Sequence, residues 1–180
     1  MEAIINIEED LVMDSQLLES IYRQYHKKVY NYISFRINNH YDAEELASLA
    51  FEKAVRNWER YNPALPIEGW LIGIAKNTVT DYLRSKGRRS FVPLDNVIEL
   101  VSSNRQPEEI AVINEENRAL VTAMAKLKDT ERQILSMKFA TDLQHSEIAE
   151  VLNISSSNVG VIAHRALKKL RGYLEEVAHD

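Results

Sequence analysis

Apolar residues recur at spacings of three and four along most of the chain. The first stripe starts near the N-terminus and consists of Leu18, Ile21, Tyr22, Tyr25, Val29 and Ile33. This period places apolar side chains on one face of an α-helix. The stripe therefore predicts an amphipathic helix, and the period returns in the segments that follow.

A second helix is predicted to begin at Asp42, where the sequence D-A-E-E offers a capping side chain with Glu45 three residues later. Asn62 and Pro63 are expected to end this helix. Its apolar face consists of Leu46, Ala50, Ala54 and Trp58. The pattern thus predicts two helices that pack side by side.

The third predicted helix is the stretch EGWLIGIAKNTVTDYLRSKGRR. Its apolar face consists of Leu71, Ile74, Ala75, Thr78 and Tyr82. Gly87 is predicted to stop the helix, with a basic tail at the end that favours cations. Three or four helices up to residue 90 predict a small bundle.

Residues 91–110 lose the helical period and contain Pro93 and Pro107, which predicts a linker. We therefore expect two domains, at residues 12–90 and 111–178. A helix is expected around 111–127, and the pattern Thr130-x-x-Gln133 predicts the start of the next one.

The stretch EIAEVLNISSSNVGVIAHRALKKLR predicts two short helices around a turn rich in capping side chains. The side chains expected to face inward are Ile148, Ala149, Leu152, Ile154, Val159, Ile162, Ala166, Leu167 and Leu170. A helix-turn-helix and an ordinary helical hairpin both fit this pattern. In either case the predicted fold class is all-α.

Composition excludes several kinds of protein. The 180 residues are 45% hydrophobic and include no Cys, which excludes disulfides and thiolate metal sites. No segment resembles a secretory signal or an uninterrupted run of about 18 apolar residues. We expect a cytoplasmic protein without membrane insertion, cofactor or metal. Five scattered histidines and five glycines suggest no catalytic constellation, so we do not expect an enzyme.

Charge is distributed unevenly around a net value of -5. Residues 70–90 contain five basic residues and one acidic residue, whereas residues 91–110 contain one basic and four acidic residues. The basic segment indicates a local nucleic-acid contact, and the alternative is a solvated helix end. Between Ser155 and Ala163, where a helix-turn-helix would read DNA, there is no Lys or Arg.

Three stretches in this order resemble the bacterial RNA polymerase sigma factors of the extracytoplasmic-function group. They are DAEELASLAFEKAVRNWERY, the third-helix stretch above, and the segment from LKDTERQ to KKLR. The resemblance implies that the first domain binds the polymerase clamp and the minus-ten promoter element. It implies that the second domain binds the polymerase flap and the minus-thirty-five element, and that an anti-sigma factor is a further partner. The family has no catalytic activity of its own.

The resemblance also implies roles for individual residues. The clamp-binding positions are Asp42, Glu44, Glu45, Leu46, Ser48, Leu49 and Phe51. Ser48 and Leu49 depart from the Gln and the acidic residue usual there. An acidic face with apolar anchors suits a basic partner helix. The alternative is an amphipathic helix whose carboxylates are only solvated.

The minus-ten positions implied by the resemblance are Trp70, Lys76, Asn77, Asp81, Arg84, Arg88 and Arg89. Asn77 matches the position that receives a flipped base, and an amide offers a donor and an acceptor together. The basic side chains would hold phosphates of the single strand. Trp70 and Tyr82 fall near the apolar stripe and are predicted to belong to the core rather than to stack on bases.

The minus-thirty-five positions are Arg132, Ser155, Ser156, Ser157, Asn158, Gly160, Val161, His164, Arg165 and Lys168. Val161 or Ala163 is expected to touch a thymine methyl. The resemblance also implies that the acidic linker lies in the RNA exit path of the polymerase. Its carboxylates there would be Asp95, Glu99, Glu108 and Glu109. The alternative is a linker that only tethers the two domains. The weakly charged reading helix fits a protein whose affinity comes mostly from the polymerase. A stand-alone helix-turn-helix regulator is the rival function.

Overall fold

The computed structural model describes residues 2–37, 39–89 and 119–177, and all regular structure in these ranges is helical. The N-terminal half contains α1 (Glu2–Arg36), α2 (His40–Arg56), a short 3-10 turn (Trp58–Arg60) and α3 (Ile67–Arg89). The C-terminal half contains α4 (119–125), α5 (Asp129–Ala140), α6 (His145–Leu152) and α7 (Ser156–Val177). The all-α prediction is confirmed.

Helices α1, α2 and α3 pack against one another and enclose the core of the N-terminal half. Deeply buried side chains there include Val29, Tyr32, Ile33, Ala47, Ala50, Ile72, Ala75 and Val79. Tyr22, which was predicted on the apolar stripe of α1, is instead exposed. The three alanines leave little side chain between the helix backbones and allow close approach.

Several helix ends differ from the sequence prediction. The N-cap of α2 is Asn39, whose side-chain oxygen accepts a hydrogen bond from the Asp42 N–H at 3.1 Å. Asp42 therefore lies in the first turn and is not the cap. Helix α3 continues through Gly87, which has no positive φ. A glycine costs a helix only about 1 kcal/mol, which its helix-forming neighbours tolerate. Helix α1 begins well before residue 12 because its first residues are mostly Glu, Ile and Ala.

The core of the C-terminal half lies between α4, α5, α6 and α7. Its fully buried side chains include Met124, Ile134, Leu135, Met137, Ile148, Val159 and Ala166. Leu167, which was predicted to face inward, is exposed, and Ala163 is buried instead. Helix α5 begins at Asp129 rather than Thr130, because the Glu131 carboxylate reaches back to accept the Lys128 N–H at 3.1 Å.

A tight turn joins α6 to α7. Asn153 ends α6 in the left-handed conformation with φ 54°. The Ser155 hydroxyl oxygen then accepts the Asn158 N–H at 3.3 Å and caps the first turn of α7. The predicted capping turn is confirmed, and with α6 packed on α7 it forms a helix-turn-helix.

The two halves contact each other through two helix pairs, α1 with α5 and α3 with α6. The Phe35 and Phe139 rings meet edge to face at 6.2 Å between centroids. The predicted linker at 91–110 and the first part of the helix predicted at 111–127 lie outside the described residues. Within the described ranges, no helix is both long and apolar enough to cross a bilayer.

Candidate nucleic-acid interface

One side of α3 gathers most of the predicted minus-ten residues. The helical period places Trp70, Asn77, Asp81 and Arg84 along one line. Asn77 and Arg84 are exposed, and Asp81 lies 3.9 Å from the Lys53 ammonium. Helix α3 extends through Arg88 and Arg89, whose side chains are outside the described set.

The other half of the chain lies directly beside this line. Lys76 Nζ donates a hydrogen bond to the Val151 carbonyl oxygen at 3.0 Å. A groove of about 400 Å³ separates α3 from α6, and its lining includes Asn77, Glu147 and Glu150. The predicted minus-ten surface therefore faces α6 in this arrangement.

Trp70 packs in a cluster of three aromatic rings at the start of α3. Its ring centroid lies 5.8 Å from that of Trp58 and 5.1 Å from that of Tyr61. The indole is half-buried against the core, as predicted, and one edge borders the groove. Offset and edge-on contacts of this kind hold an aromatic side chain in place.

Asp42 connects α2 to the basic end of α3. Its carboxylate accepts hydrogen bonds from the Tyr82 hydroxyl and from Lys86 Nζ, the latter at 2.9 Å. Partial burial acts to raise the pKa of Asp42, but these two donors outweigh it and lower the pKa below its usual value. The Asp42 carboxylate is thus paired with groups of the N-terminal half.

The remaining clamp-binding positions on α2 divide into two faces. Glu44, Glu45, Ser48 and Leu49 are exposed. Leu46 and Phe51 are only 6% and 9% exposed and belong to the core of the N-terminal half. These two residues cannot act as apolar anchors for a partner in this arrangement, because they already support α2 from behind.

The predicted reading face of α7 is open to solvent. Its exposed members are Ser156, Ser157, Asn158, Val161, His164, Arg165 and Lys168. Gly160 lies half-buried, and a Cβ there would meet the His145 ring at 3.7 Å. Ala163 is 3% exposed, so it is not available to a thymine methyl, whereas Val161 is 47% exposed.

Two residues near this face were missed by the sequence analysis. Lys138 Nζ lies 3.0 Å from His145 Nε2, and both line a groove that also includes Ser156. They bring basic groups to the N-terminal end of α7. The sequence signal for Lys138 was its position in the last turn of α5, directly before the helix-turn-helix.

Arg132, a predicted minus-thirty-five contact, is used internally. Its guanidinium donates to the Ala125 and Leu127 carbonyl oxygens at 3.0 and 3.1 Å, which closes the end of α4. Burial, and then the neighbouring Arg36, lower the pKa of Arg132. This half-buried arginine therefore stabilises the turn between α4 and α5, and its minus-thirty-five role stays a prediction.

Family models match both halves of the chain. Sigma-70 region 2 matches residues 21–89, and Sigma-70, region 4 matches residues 117–170. The first match contains α2 and α3, and the second contains the helix-turn-helix. The two candidate surfaces therefore lie in two different matched regions.

Individual relatives agree with these matches. The chain is 29% identical over 155 residues to RNA polymerase sigma factor YlaC of Bacillus subtilis, across 86% of this chain and 90% of that protein. It is 27% identical over 159 residues to ECF RNA polymerase sigma factor BldN of Streptomyces coelicolor, across 88% of this chain but only 60% of BldN.

A solved structure shares the fold. CnrH in complex with the cytosolic domain of CnrY superposes with a TM-score of 0.68 at 20% identity, covering 90% of each chain. The family models and the named relatives agree in both halves of the molecule. The chain therefore belongs to the sigma-70 family of RNA polymerase sigma factors, in the extracytoplasmic-function group.

Proposed function

We propose that the chain binds core RNA polymerase and directs it to promoters through two separate contacts. The N-terminal domain (12–90) recognises the minus-ten element, and the C-terminal domain (111–178) recognises the minus-thirty-five element. The observation that carries this proposal is the pair of polar stripes on α3 and α7, one in each matched region. The protein acts on DNA in the cytoplasm and has no catalytic step of its own.

The minus-ten contact is made by α3. The Asn77 amide pairs with the edge of an unpaired base, because it offers a donor and an acceptor side by side. Arg84, Arg88 and Arg89 continue along the same helix and hold phosphates of the single strand. The exposure of Asn77 and Arg84 supports this division of roles.

The minus-thirty-five contact is made by the first turns of α7. Backbone N–H groups at the start of this helix point outward and favour a phosphate, and the serine hydroxyls add neutral hydrogen bonds. Lys138 and His145 supply basic groups beside Ser156, where α7 itself has none. Val161 then faces the bases as an apolar contact, and Arg165 and Lys168 follow further along.

Polymerase docking is assigned to the exposed side of α2 and to the C-terminal domain. Glu44 and Glu45 form an acidic surface next to the apolar Leu49, which suits a basic helix of the clamp. The C-terminal domain contacts the flap. An anti-sigma factor is a further partner, an inference supported by the fold shared with CnrH, whose solved structure includes the CnrY cytosolic domain.

Run-off transcription with purified core polymerase tests the proposal. The full chain should start transcripts from a cognate promoter that core alone does not use. The rival function, a stand-alone helix-turn-helix regulator, predicts that the chain binds DNA tightly without core and starts no transcript. A chain that binds its operator alone and leaves core inactive would replace the proposal with the rival.

A further inference from the structure

Aromatic rings follow the edge along which α1 meets α2. Tyr22, His26 and Tyr30 are spaced by four residues, which places them on one side of α1. His40 and Tyr41 begin α2 beside them. Neighbouring ring centroids along this series lie 4.7, 6.4, 5.9 and 5.7 Å apart. We call these five rings the aromatic edge.

The fold holds these rings in place. The Tyr22 ring meets the buried Phe51 ring edge to face at 4.8 Å between centroids, and the His26 ring stacks 6.0 Å from the same Phe51. The Tyr30 hydroxyl and His40 Nδ1 share a hydrogen bond of 2.6 Å, which joins α1 to α2. A ring that folding has already ordered loses little further freedom when a partner binds. The aromatic edge is therefore preorganised for contact.

The outer sides of the aromatic edge are open to solvent. Tyr22 is 43% exposed and Tyr41 is 58% exposed. The core beneath them is closed by other side chains of α2, since Ala43, Ala47 and Phe51 are all buried. Exposed aromatic rings are typical of surfaces that bind other proteins. The rings are thus placed to meet a partner rather than to complete the core.

Carboxylates give the aromatic edge a negative border. Glu44 follows His40 by one turn of α2, and Glu45 is exposed next to it. Partial burial raises the pKa of the Tyr30 hydroxyl, and the charge of the nearby Glu44 raises it further. The face of an aromatic ring attracts cations, and a guanidinium can stack on a ring while its N–H groups bind a carboxylate. The rings and their border together suit arginine side chains.

The same charges narrow the choice of partner. Glu44 and Glu45 repel the phosphates of DNA, and a second copy of this chain would bring the same carboxylates against them. A positively charged protein surface meets neither objection. The helical period places His40, Glu44 and Ser48 in one line on α2. The aromatic edge therefore continues directly into the surface proposed to dock on the clamp.

We propose that the aromatic edge extends the clamp-docking surface onto α1, with arginine side chains of the clamp stacked on Tyr22 and Tyr41 and paired with Glu44. This inference rests on the proposed docking of α2. Stacking on a ring is directional, whereas Glu44 and Glu45 alone attract any cation. The aromatic edge thus fixes the orientation of the partner, and the carboxylates supply the attraction.

Substitutions at Tyr22 test the stacking in the full chain. Tyr22→Phe keeps the ring and should bind core within about twofold of the wild type. Tyr22→Leu keeps an apolar side chain without a ring and should lose about threefold to tenfold in affinity for core, the range of one contact between a cation and a ring. Native gel shifts with purified core measure both affinities. Equal affinity of the two variants would overturn stacking on Tyr22.

Leu17→Ala is the matched control, because Leu17 is 45% exposed on the opposite side of α1. It should bind core like the wild type. Tyr41→Leu provides a second test at a ring that is more exposed than Tyr22. It should lose affinity for core while its thermal unfolding, followed by circular dichroism, matches that of the wild type. Unchanged affinity in Tyr41→Leu, or an equal loss in Leu17→Ala, would overturn the proposal.

An oligo-arginine peptide separates this inference from the proposed function. Added to the free full-length chain, it should shift the aromatic proton resonances of Tyr22 in NMR spectra, and oligo-lysine should shift them less, because an ammonium does not stack. Tyr22→Leu should bind the peptide more weakly than the wild type. Equal peptide binding by both chains would overturn the arginine-binding role of the aromatic edge. A wild-type chain that binds no core would instead refute the proposed function, and the peptide result would still decide the inference.

Discussion

Helices α3 and α7 are both proposed to meet DNA, but they present their polar residues differently. The stripe on α7 is open to solvent from Ser156 to Lys168, apart from the inward-facing positions. On α3, Lys76 is bound to Val151 and Asn77 shares a groove with α6. The predicted contact surface on α7 is therefore open, whereas part of the predicted surface on α3 is shared with α6.

The two helices also differ in charge. The open face of α7 begins without Lys or Arg, whereas the basic segment belongs to α3, where Lys76 contacts α6 and Arg84 and Lys86 are exposed. A basic surface open to solvent attracts nucleic acid of any sequence. The neutral start of α7 lacks this unspecific attraction, whereas the exposed Arg84 and Lys86 on α3 retain it.

The largest effect is expected from a substitution on the buried side of α7, opposite its open face. Ala163→Asp places a carboxylate at a position that is 3% exposed, and an uncompensated buried charge costs on the order of 3–5 kcal/mol. The C-terminal half should lose its cooperative thermal unfolding by circular dichroism. Val161→Asp, at a position that is 47% exposed, should melt normally and weaken only promoter binding by the holoenzyme. Identical melting curves for the two variants would contradict the buried position of Ala163 and the exposed position of Val161.

The docking surface on α2 offers the next largest effect. The double reversal Glu44→Lys/Glu45→Lys places two cations where a basic partner is proposed, and we expect at least about a tenfold loss of affinity for core. The loss should grow at low salt, because screening then weakens. Native gel shifts with core measure it. Glu59→Lys, on the exposed 3-10 turn, is the control, and equal affinity of the double variant and the control would leave α2 as a scaffold.

Removal of the proposed base contact on α3 sharpens the comparison between the two helices. Asn77→Ala should cost promoter opening about 1–3 kcal/mol, the value of one good base contact, while core affinity stays the same. Permanganate reactivity of the melted strand measures opening. Ser85→Ala changes an exposed hydroxyl on the same helix and should open the promoter normally. Undiminished melting by the Asn77 variant would reject its role.

Substitution of Asp42 is expected to have the smallest effect on stability, and this effect should depend on pH. Its pKa is lowered in the folded chain, so its contribution to stability is complete above the ordinary Asp pKa of about 3.9. That contribution is lost as the pH falls through the lowered value. Asp42→Asn should cost on the order of 1 kcal/mol at pH 7, and the gap to the wild type should narrow in acid. Urea unfolding of both proteins at pH 7 and near pH 3 measures the difference in their free energy of unfolding. The same difference at both pH values would contradict this prediction.

The sequence predicted helices well because each helix buries one face in its own half. Val29, Ile33, Ala50 and Ala75 were all recognised from spacing and are all buried. The same rule explains why Leu46 and Phe51, which were predicted at the clamp-binding surface, are buried in the free chain. An amphipathic helix packs its apolar side chains into the core of its own domain. Their spacing alone therefore does not show whether a partner protein also contacts them.

Contacts between the halves left no comparable signal. Lys28 and Asp142 are 114 positions apart, and Lys76 and Val151 are 75 positions apart. Such pairs follow no local period, and each residue alone resembles an ordinary surface charge. Sequence alone also gave no sign that Arg132 donates to two nearby carbonyl oxygens, and its minus-thirty-five role, which the family resemblance implies, stays a prediction.

The aromatic cluster at the start of α3 gives the protein an optical reporter of its own. Trp58 and Trp70 are the two tryptophans of the chain, and their ring centroids lie 5.8 Å apart. Since Trp70 also borders the groove beside α6, all indole emission originates within one corner of the molecule. Water entering the groove should shift that emission to longer wavelength, so the fluorescence of the unlabelled free chain reports on the packing of α3 against α6.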